Sequence, residues 1–278
     1  TSAGYDLTRL LIGSEGTLGI ITELTIRLHG IPEAISAATC SFPSIEAACN
    51  AVISTIQYGI PMARIELLDE LTVRGVNGYS KLSLPESPLL LLEFHGSEAG
   101  VEEQAETFGA IAEEFGALGF EWTTNPEERN RLWQARHDAY WSQRSLRPGA
   151  ESVATDVCVP VSNLAACVVQ SQEKARSLDL IAPIVGHVGD GNFHVTPIVD
   201  MEDAGELARA REFVSWLNDL AISMDGTCTG EHGIGQGKTK YLERELGTDT
   251  LDVMRAVKTA LDPQNILNPG KILPSGQD

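Results

Sequence analysis

Two histidines, His187 and His194, stand near the two ends of GHVGDGNFH (residues 186–194), and Gly189, Asp190, Gly191 and Asn192 between them are turn formers. On a straight strand, seven residues would put the two rings on opposite faces about 23 Å apart. A reversal at Gly189–Asn192 puts them on adjacent strands instead, where side chains on one face sit about 5 Å apart. Two imidazoles so placed can share one divalent cation at about 2.0–2.1 Å each. A third donor is available in TGEHGIG (229–235), where Glu231 stands beside His232 among glycines that let a backbone approach closely. A His/His/Glu set leaves coordination positions open for substrate, the pattern of catalytic metal sites. On residue types alone the other reading, ordinary polar residues in two loops, stays open.

The elements that must position these residues can be read from hydrophobic periodicity. AISAATCSF (34–42), MARIELLD (62–69), SPLLLLEFHG (87–96) and FEWTT (120–124) read as strands. They alternate with helical patterns at 44–59, 69–78 and 100–119, which predicts an open sheet with helices on one face. Pro126 and the acids after it open a helix over 126–145. A strand at 152–162, a helix at 163–179, a hairpin at 181–199, a long helix at 204–224 and two more near 239–246 and 249–260 follow. At the N-terminal end, the alternation in IITELTIRL (20–28) predicts a strand after the glycine-rich turn GSEGTLG.

The 278 residues suffice for one large domain or two modest ones. A net charge of −19 opposes a polyanionic phosphate backbone, which weighs against nucleic acid as a partner. No apolar run approaches the ~20 residues of a membrane span. The five cysteines are odd in number and form no CxxC pair, as expected of free, mostly buried thiols in a reducing compartment. GQGKT (235–239) imitates the end of a phosphate-binding loop, but His232 stands where its first glycine is required. Gly13, Gly16 and Gly19 do not fit GxGxxG, so a nicotinamide site is unsupported.

Four segments in order, LLIGSEGTLGIIT (10–22), GHVGDGNFH (186–194), GTCTGEHGIGQGK (226–238) and LDPQNILNPGKI (261–272), resemble the C-terminal half of the FAD-linked D-2-hydroxy-acid dehydrogenases. That group includes D-lactate dehydrogenase (cytochrome), the glycolate oxidase large subunit and D-2-hydroxyglutarate dehydrogenase. The resemblance implies an α+β fold: a ferredoxin-like substrate or cap domain with an antiparallel sheet, plus remnants of a vanillyl-alcohol-oxidase-type FAD-binding domain. Residues 1–30 would be the tail of that flavin domain, 31–246 the cap domain with the metal site, and 247–278 the returning segment. His187, His194 and Glu231 match the family's ligands for a divalent metal, zinc or manganese. His232 matches its catalytic base, and Arg136 an arginine that grips the substrate carboxylate. Gly13, Glu15, Gly16 and Gly19 match a segment lying against FAD, and Asn268 an asparagine near the flavin. Thr155 stands before Asp156 where some relatives carry Lys, so the resemblance implies no preference for a substrate with a second carboxylate.

The implied reaction is oxidation of a small D-2-hydroxy acid, D-lactate or glycolate-like, to the 2-oxo acid. Its electron acceptor would be a cytochrome, a quinone or an electron-transfer flavoprotein. The resemblance also implies a cytoplasmic protein, and leaves open a peripheral place at the inner membrane for the intact form and a homodimer. TSAGYDLTRL has no starting Met, and the main FAD pyrophosphate loops of the family lie N-terminal to it, so this chain is expected to be a fragment that neither retains FAD nor turns over alone. Two other functions compete: a metal-dependent hydrolase, and a non-catalytic partner subunit.

Overall fold

Several helices in this chain start where a polar side chain can accept an orphan amide. Ser44, Asp69, Ser97, Asn125 and Asp203 each take a backbone N–H from the first turn of the helix that follows. The structure, a computed structural model, describes residues 2–273. In chain order its elements are helix α1 (Leu7–Leu11), strand β1 (Ala34–Ser41), α2 (Ile45–Gln57), β2 (Met62–Leu68), α3 (Glu70–Ser80), β3 (Leu89–Gly96), α4 (Glu98–Glu114), β4 (Gly119–Thr123), α5 (Pro126–His137) and α6 (Ala139–Arg144). They continue as β5 (Glu151–Ser152), β6 (Val157–Cys158), α7 (Leu164–Ser177), β7 (Ile184–Gly186), β8 (Asn192–Val195), β9 (Ile198–Val199), α8 (Ala204–Ser223), α9 (Leu242–Leu246) and α10 (Thr248–Leu261).

Two compact units divide these elements. Residues 31–226 form the first, and the residues before 31 join those after 226 in the second. The chain thus passes into the second unit at 227, not at the expected 247. Hydrogen bonds explain the difference, because Ile234 and Gly235 are tied to Glu15, and Ile272 to Gly235.

The first unit is built on a seven-stranded sheet of order β4-β1-β3-β2-β7-β8-β6, antiparallel at every pairing. Its β4-β1-β3-β2 portion, with α2 after β1 and α4 after β3, is a ferredoxin-like arrangement. β5 and β9 pair separately. One face carries Cys40, Ile65, Leu67, Leu90, Leu92 and Phe94, and packs against α2, α4, α7 and α8. The other carries Leu68, Leu89, Leu91 and Val185, covered by Val73 and Val76 of α3, Trp133 and Ala135 of α5, and Ala139 of α6. The sequence had predicted helices on one face only. The unbroken apolar run Leu89–Leu92 decides otherwise, because a strand apolar on both sides needs cover on both.

Three other expectations are corrected. The helix over 126–145 breaks at Asp138 into α5 and α6. The strand over 152–162 shrinks to β5 and β6, because the Thr155 hydroxyl takes over bonding to Val195, accepting from its N–H and donating to its C=O. Residues 20–28 form no strand, and Ile20, Leu24, Ile26 and Leu28 are exposed. The second unit holds no strand among the described residues, so this alternation has no edge to pair with there. All five thiols are free, and burial pushes those of Cys40, Cys167 and Cys228 up to about 12. No helix among the described residues is long and apolar enough to cross a membrane.

Asp69 gives a test of the α3 junction. Its carboxylate caps α3 while its own N–H donates to Ile184 O. Burial is the largest influence on it and pushes its pKa up to about 7. A pKa raised on folding contributes stability that is full below the unfolded value near 4 and is lost as pH rises through about 7. Asp69→Asn keeps a good cap and removes the buried charge. Urea unfolding should find the variant about 2–4 kcal/mol more stable than the wild type at pH 8, with the gap closing toward pH 4. A gap that widens on acidification would contradict this.

Candidate active site

The β-ladder registers bring polar residues onto the face of the sheet that also carries Leu68, Leu91 and Val185. Arg64 pairs with Glu93, Leu68 with Val185, Val185 with His194, and Val157 with Phe193. Period-two alternation then puts Glu93, Arg64, Glu66, His194, Asn192 and Asp156 on this one face, with His187 just beyond the end of β7. The reversal is a short 3-10 turn, Val188–Asp190, closed by Gly191. The two histidine rings are 6.2 Å apart between centroids and nearly perpendicular.

Hydrogen bonds fix both rings. His187 Nδ1 lies 2.6 Å from Glu66 Oε1, and His194 Nδ1 lies 2.9 Å from the carbonyl of Thr155. A carboxylate and a carbonyl only accept, so each Nδ1 donates, and in the neutral ring the lone pair sits on Nε2. Two imidazoles whose second nitrogen is engaged in this way have the tautomer of metal-ligating histidines. Beside them, Asn192 donates through Nδ2 to Asp156 Oδ1 at 2.9 Å and to Val157 O at 3.0 Å. Its Oδ1 is buried and accepts no hydrogen bond among the described residues. The donor set and this orphan acceptor fit a hydrated divalent cation.

Glu66 was not singled out in the sequence. It is 6% exposed, and its second oxygen, Oε2, receives Arg136 Nε at 2.9 Å and Nη2 at 2.8 Å. One carboxylate therefore couples His187 to Arg136. The signal that could have found it is an acid set between Ile65 and Leu67 in an otherwise apolar strand end. Arg136, His137, His187, Glu66 and Arg64 line a cleft of about 580 Å³. Arg64 lies 3.6 Å from Glu93, and its guanidinium stacks over Trp133 at 4.8 Å.

In the second unit, Glu231 and His232 sit on the glycine-rich loop with exposed side chains, His232 Nε2 being 3.6 Å from Glu231 Oε1. Gly13, Glu15 and Gly16 form a turn with φ of +78°, +51° and +69°. Gly13 lines a mainly apolar groove of about 640 Å³ with Leu10, Ile12, Leu18, Val257 and Ile272. Glu15, Gly16, Gly19 and Asn268 do not line this groove, and Asn268 Nδ2 donates to Glu15 O at 2.6 Å.

A ferredoxin-like sheet extended by three strands, with His187 and His194 close together on one polar face, defines an α+β domain. The family described as "FAD linked oxidases, C-terminal domain" matches residues 31–272, and the chain belongs to it. It is 47% identical over 273 residues to a probable mitochondrial D-lactate dehydrogenase of Danio rerio, covering 98% of this chain and 55% of that protein. It is 43% identical over 274 residues to the mitochondrial D-lactate dehydrogenase [cytochrome] of Arabidopsis thaliana, covering 99% of this chain and 48% of that protein. The chain thus spans about half the length of these relatives. In fold it is similar to 4-ethylphenol oxidase from Gulosibacter chungangensis, at a TM-score of 0.68 and 15% identity, over 90% of this chain and 56% of that one.

Proposed function

We propose that this chain is the substrate-handling part of an FAD-dependent dehydrogenase that oxidises a small D-2-hydroxy acid, D-lactate or glycolate-like, to the 2-oxo acid. The observation that carries this is the chain Arg136–Glu66–His187 with His194 beside it, against one sheet face, in a member of the FAD-linked oxidase family. His187 and His194 would hold zinc or manganese through Nε2, with Glu231 as the third ligand. The similarity of the GHVGDGNFH and TGEHGIG segments to the family supports that assignment. When bound, the cation would supply Lewis-acid polarisation of the 2-hydroxyl, and the flavin would supply the hydride acceptor.

The remaining steps belong to this chain's side chains. Glu66 occupies the Nε and Nη2 edge of Arg136, which leaves N–H donors on the guanidinium to orient the substrate carboxylate. His232 takes the 2-hydroxyl proton as general base. The residues before 31 and after 226 would belong with the flavin-binding part, the glycines at 13, 16 and 19 lying toward the flavin and Asn268 near it. The acceptor would be a cytochrome, a quinone or an electron-transfer flavoprotein.

The test joins metal analysis to turnover. The N-terminally extended protein, purified without chelator, should carry about one zinc or manganese and reduce an artificial acceptor with D-lactate. A His187→Ala, His194→Ala double variant should lose the metal and at least about 100-fold in kcat/KM. Metal content without flavin, together with hydrolysis of an ester or amide, would favour the hydrolase instead. No metal and no turnover would favour the partner subunit.

A further inference from the structure

We propose that Glu15 is a positioning residue, whose carboxylate fixes the backbone of the loop that carries Glu231 and His232. Its consequence for catalysis rests on the roles proposed above for those two residues; its structural part does not. Glu15 Oε1 accepts from Ile234 N at 2.7 Å, and Oε2 from Gly235 N at 2.9 Å. Two charge-assisted bonds onto consecutive amides set the orientation of the peptide as well as its position. Gly233 makes the approach feasible. Its φ is +80°, and a Cβ there would come within 2.6 Å of Glu15 Oε1.

Other bonds close the loop around this clamp. Thr229 Oγ1 donates to Gly233 O at 3.1 Å, Lys238 N to Ile234 O at 3.1 Å, and Ile272 N to Gly235 O at 2.8 Å. Glu231 and His232 lie inside the span that Thr229 and Gly233 close, so the clamp on the next two amides fixes one end of their loop. Glu15 itself is held in the left-handed region at φ +51°, a conformation that persists in a non-glycine residue only where its surroundings demand it. Both of its carboxylate oxygens serve the loop, and its carbonyl takes Asn268 Nδ2. Its segment resembles one that lies against FAD, yet the side chain has this other task. Lys258 is a natural control in the same unit. It ties Thr17 O, Leu267 O and Asp262, and makes no bond to the loop among the described residues.

The experiment measures amide hydrogen exchange residue by residue and Zn²⁺ affinity by chelator competition, on this chain and on Glu15→Ala, Glu15→Gln and Lys258→Met. In Glu15→Ala the Ile234 and Gly235 amides should exchange at least about tenfold faster than the rest of the second unit accounts for, and Zn²⁺ should bind about tenfold more weakly. Glu15→Gln keeps one acceptor oxygen and should recover part of both effects. It also carries the test if the alanine variant fails to fold. Lys258→Met should speed exchange across the unit without singling out those two amides. Wild-type exchange at Ile234 and Gly235 in Glu15→Ala would overturn the proposal, and so would a uniform change like that of Lys258→Met. Loss of FAD from the extended protein with those amides still protected would return Glu15 to the flavin. If the wild type binds no Zn²⁺, the metal reading falls, and the exchange data still decide the role of Glu15.

Discussion

Glu66→Ala should weaken divalent-cation binding at His187 and His194 by about 10–100-fold and lower stability by about 3 kcal/mol. Both effects come from one buried carboxylate with two partners. Without it, the largely buried Arg136 guanidinium loses its counter-charge, and breaking such a pair from one side costs more than the pair contributes. His187 loses the acceptor that holds its Nδ1 proton, so its tautomer and ring angle are no longer set. Further variants separate the two losses. In Glu66→Met with Arg136→Met, an apolar pair fills the space and no charge is stranded, so stability should largely return while metal affinity does not. Urea unfolding, calorimetric titration with Zn²⁺ and imidazole ¹⁵N shifts would measure these outcomes. Wild-type Zn²⁺ affinity in Glu66→Ala would show that His187 needs no such support.

The parts of this fold legible in the sequence are those set by local chemistry. Pro126 and the acids after it announce the start of α5, and the apolar runs at 34–42, 62–69 and 87–96 announce β1 to β3. The hairpin that brings His187 near His194 was legible because Gly191 marks its reversal. What failed depended on partners distant in the chain. The alternation at 20–28 has a strand's period, but a strand also needs a neighbour, and sequence period cannot supply one. Leu89–Leu92 has an apolar side chain on both faces, yet the helices covering the second, α3, α5 and α6, could be assigned to it only once the sheet order was known. Glu66 and Glu15 share this difficulty. Each acts through atoms far along the chain, Arg136 and His187 for one, Ile234 and Gly235 for the other. His187, His194 and Glu231 could be read as a candidate set from type and spacing, and Arg136 only through the family resemblance; the supporting role of Glu66 could be read from neither.

The turn between the histidines allows a sharper test, because it holds two glycines in very different surroundings. Gly191 has φ +79°, and a Cβ there would lie 2.1 Å from Val159 O. That oxygen belongs to the backbone of a residue whose own N–H donates to Gly191 O, so neither side can move without breaking the junction of β6 and β8. Gly191→Ala should therefore cost about 3–5 kcal/mol, from the left-handed conformation and the backbone clash together. It should also spread the His187 and His194 rings and remove cation binding, since His187 is positioned by the turn and His194 by the ladder. Gly189 lies two residues earlier, where a Cβ would meet Ile65 at 3.7 Å, an ordinary contact. Gly189→Ala should change stability by less than about 1 kcal/mol and leave Zn²⁺ binding intact. Urea unfolding and Zn²⁺ titration of the two variants side by side give the comparison. If both bind Zn²⁺ like the wild type, ring spacing does not depend on Gly191, and the link from turn geometry to the metal pair is broken.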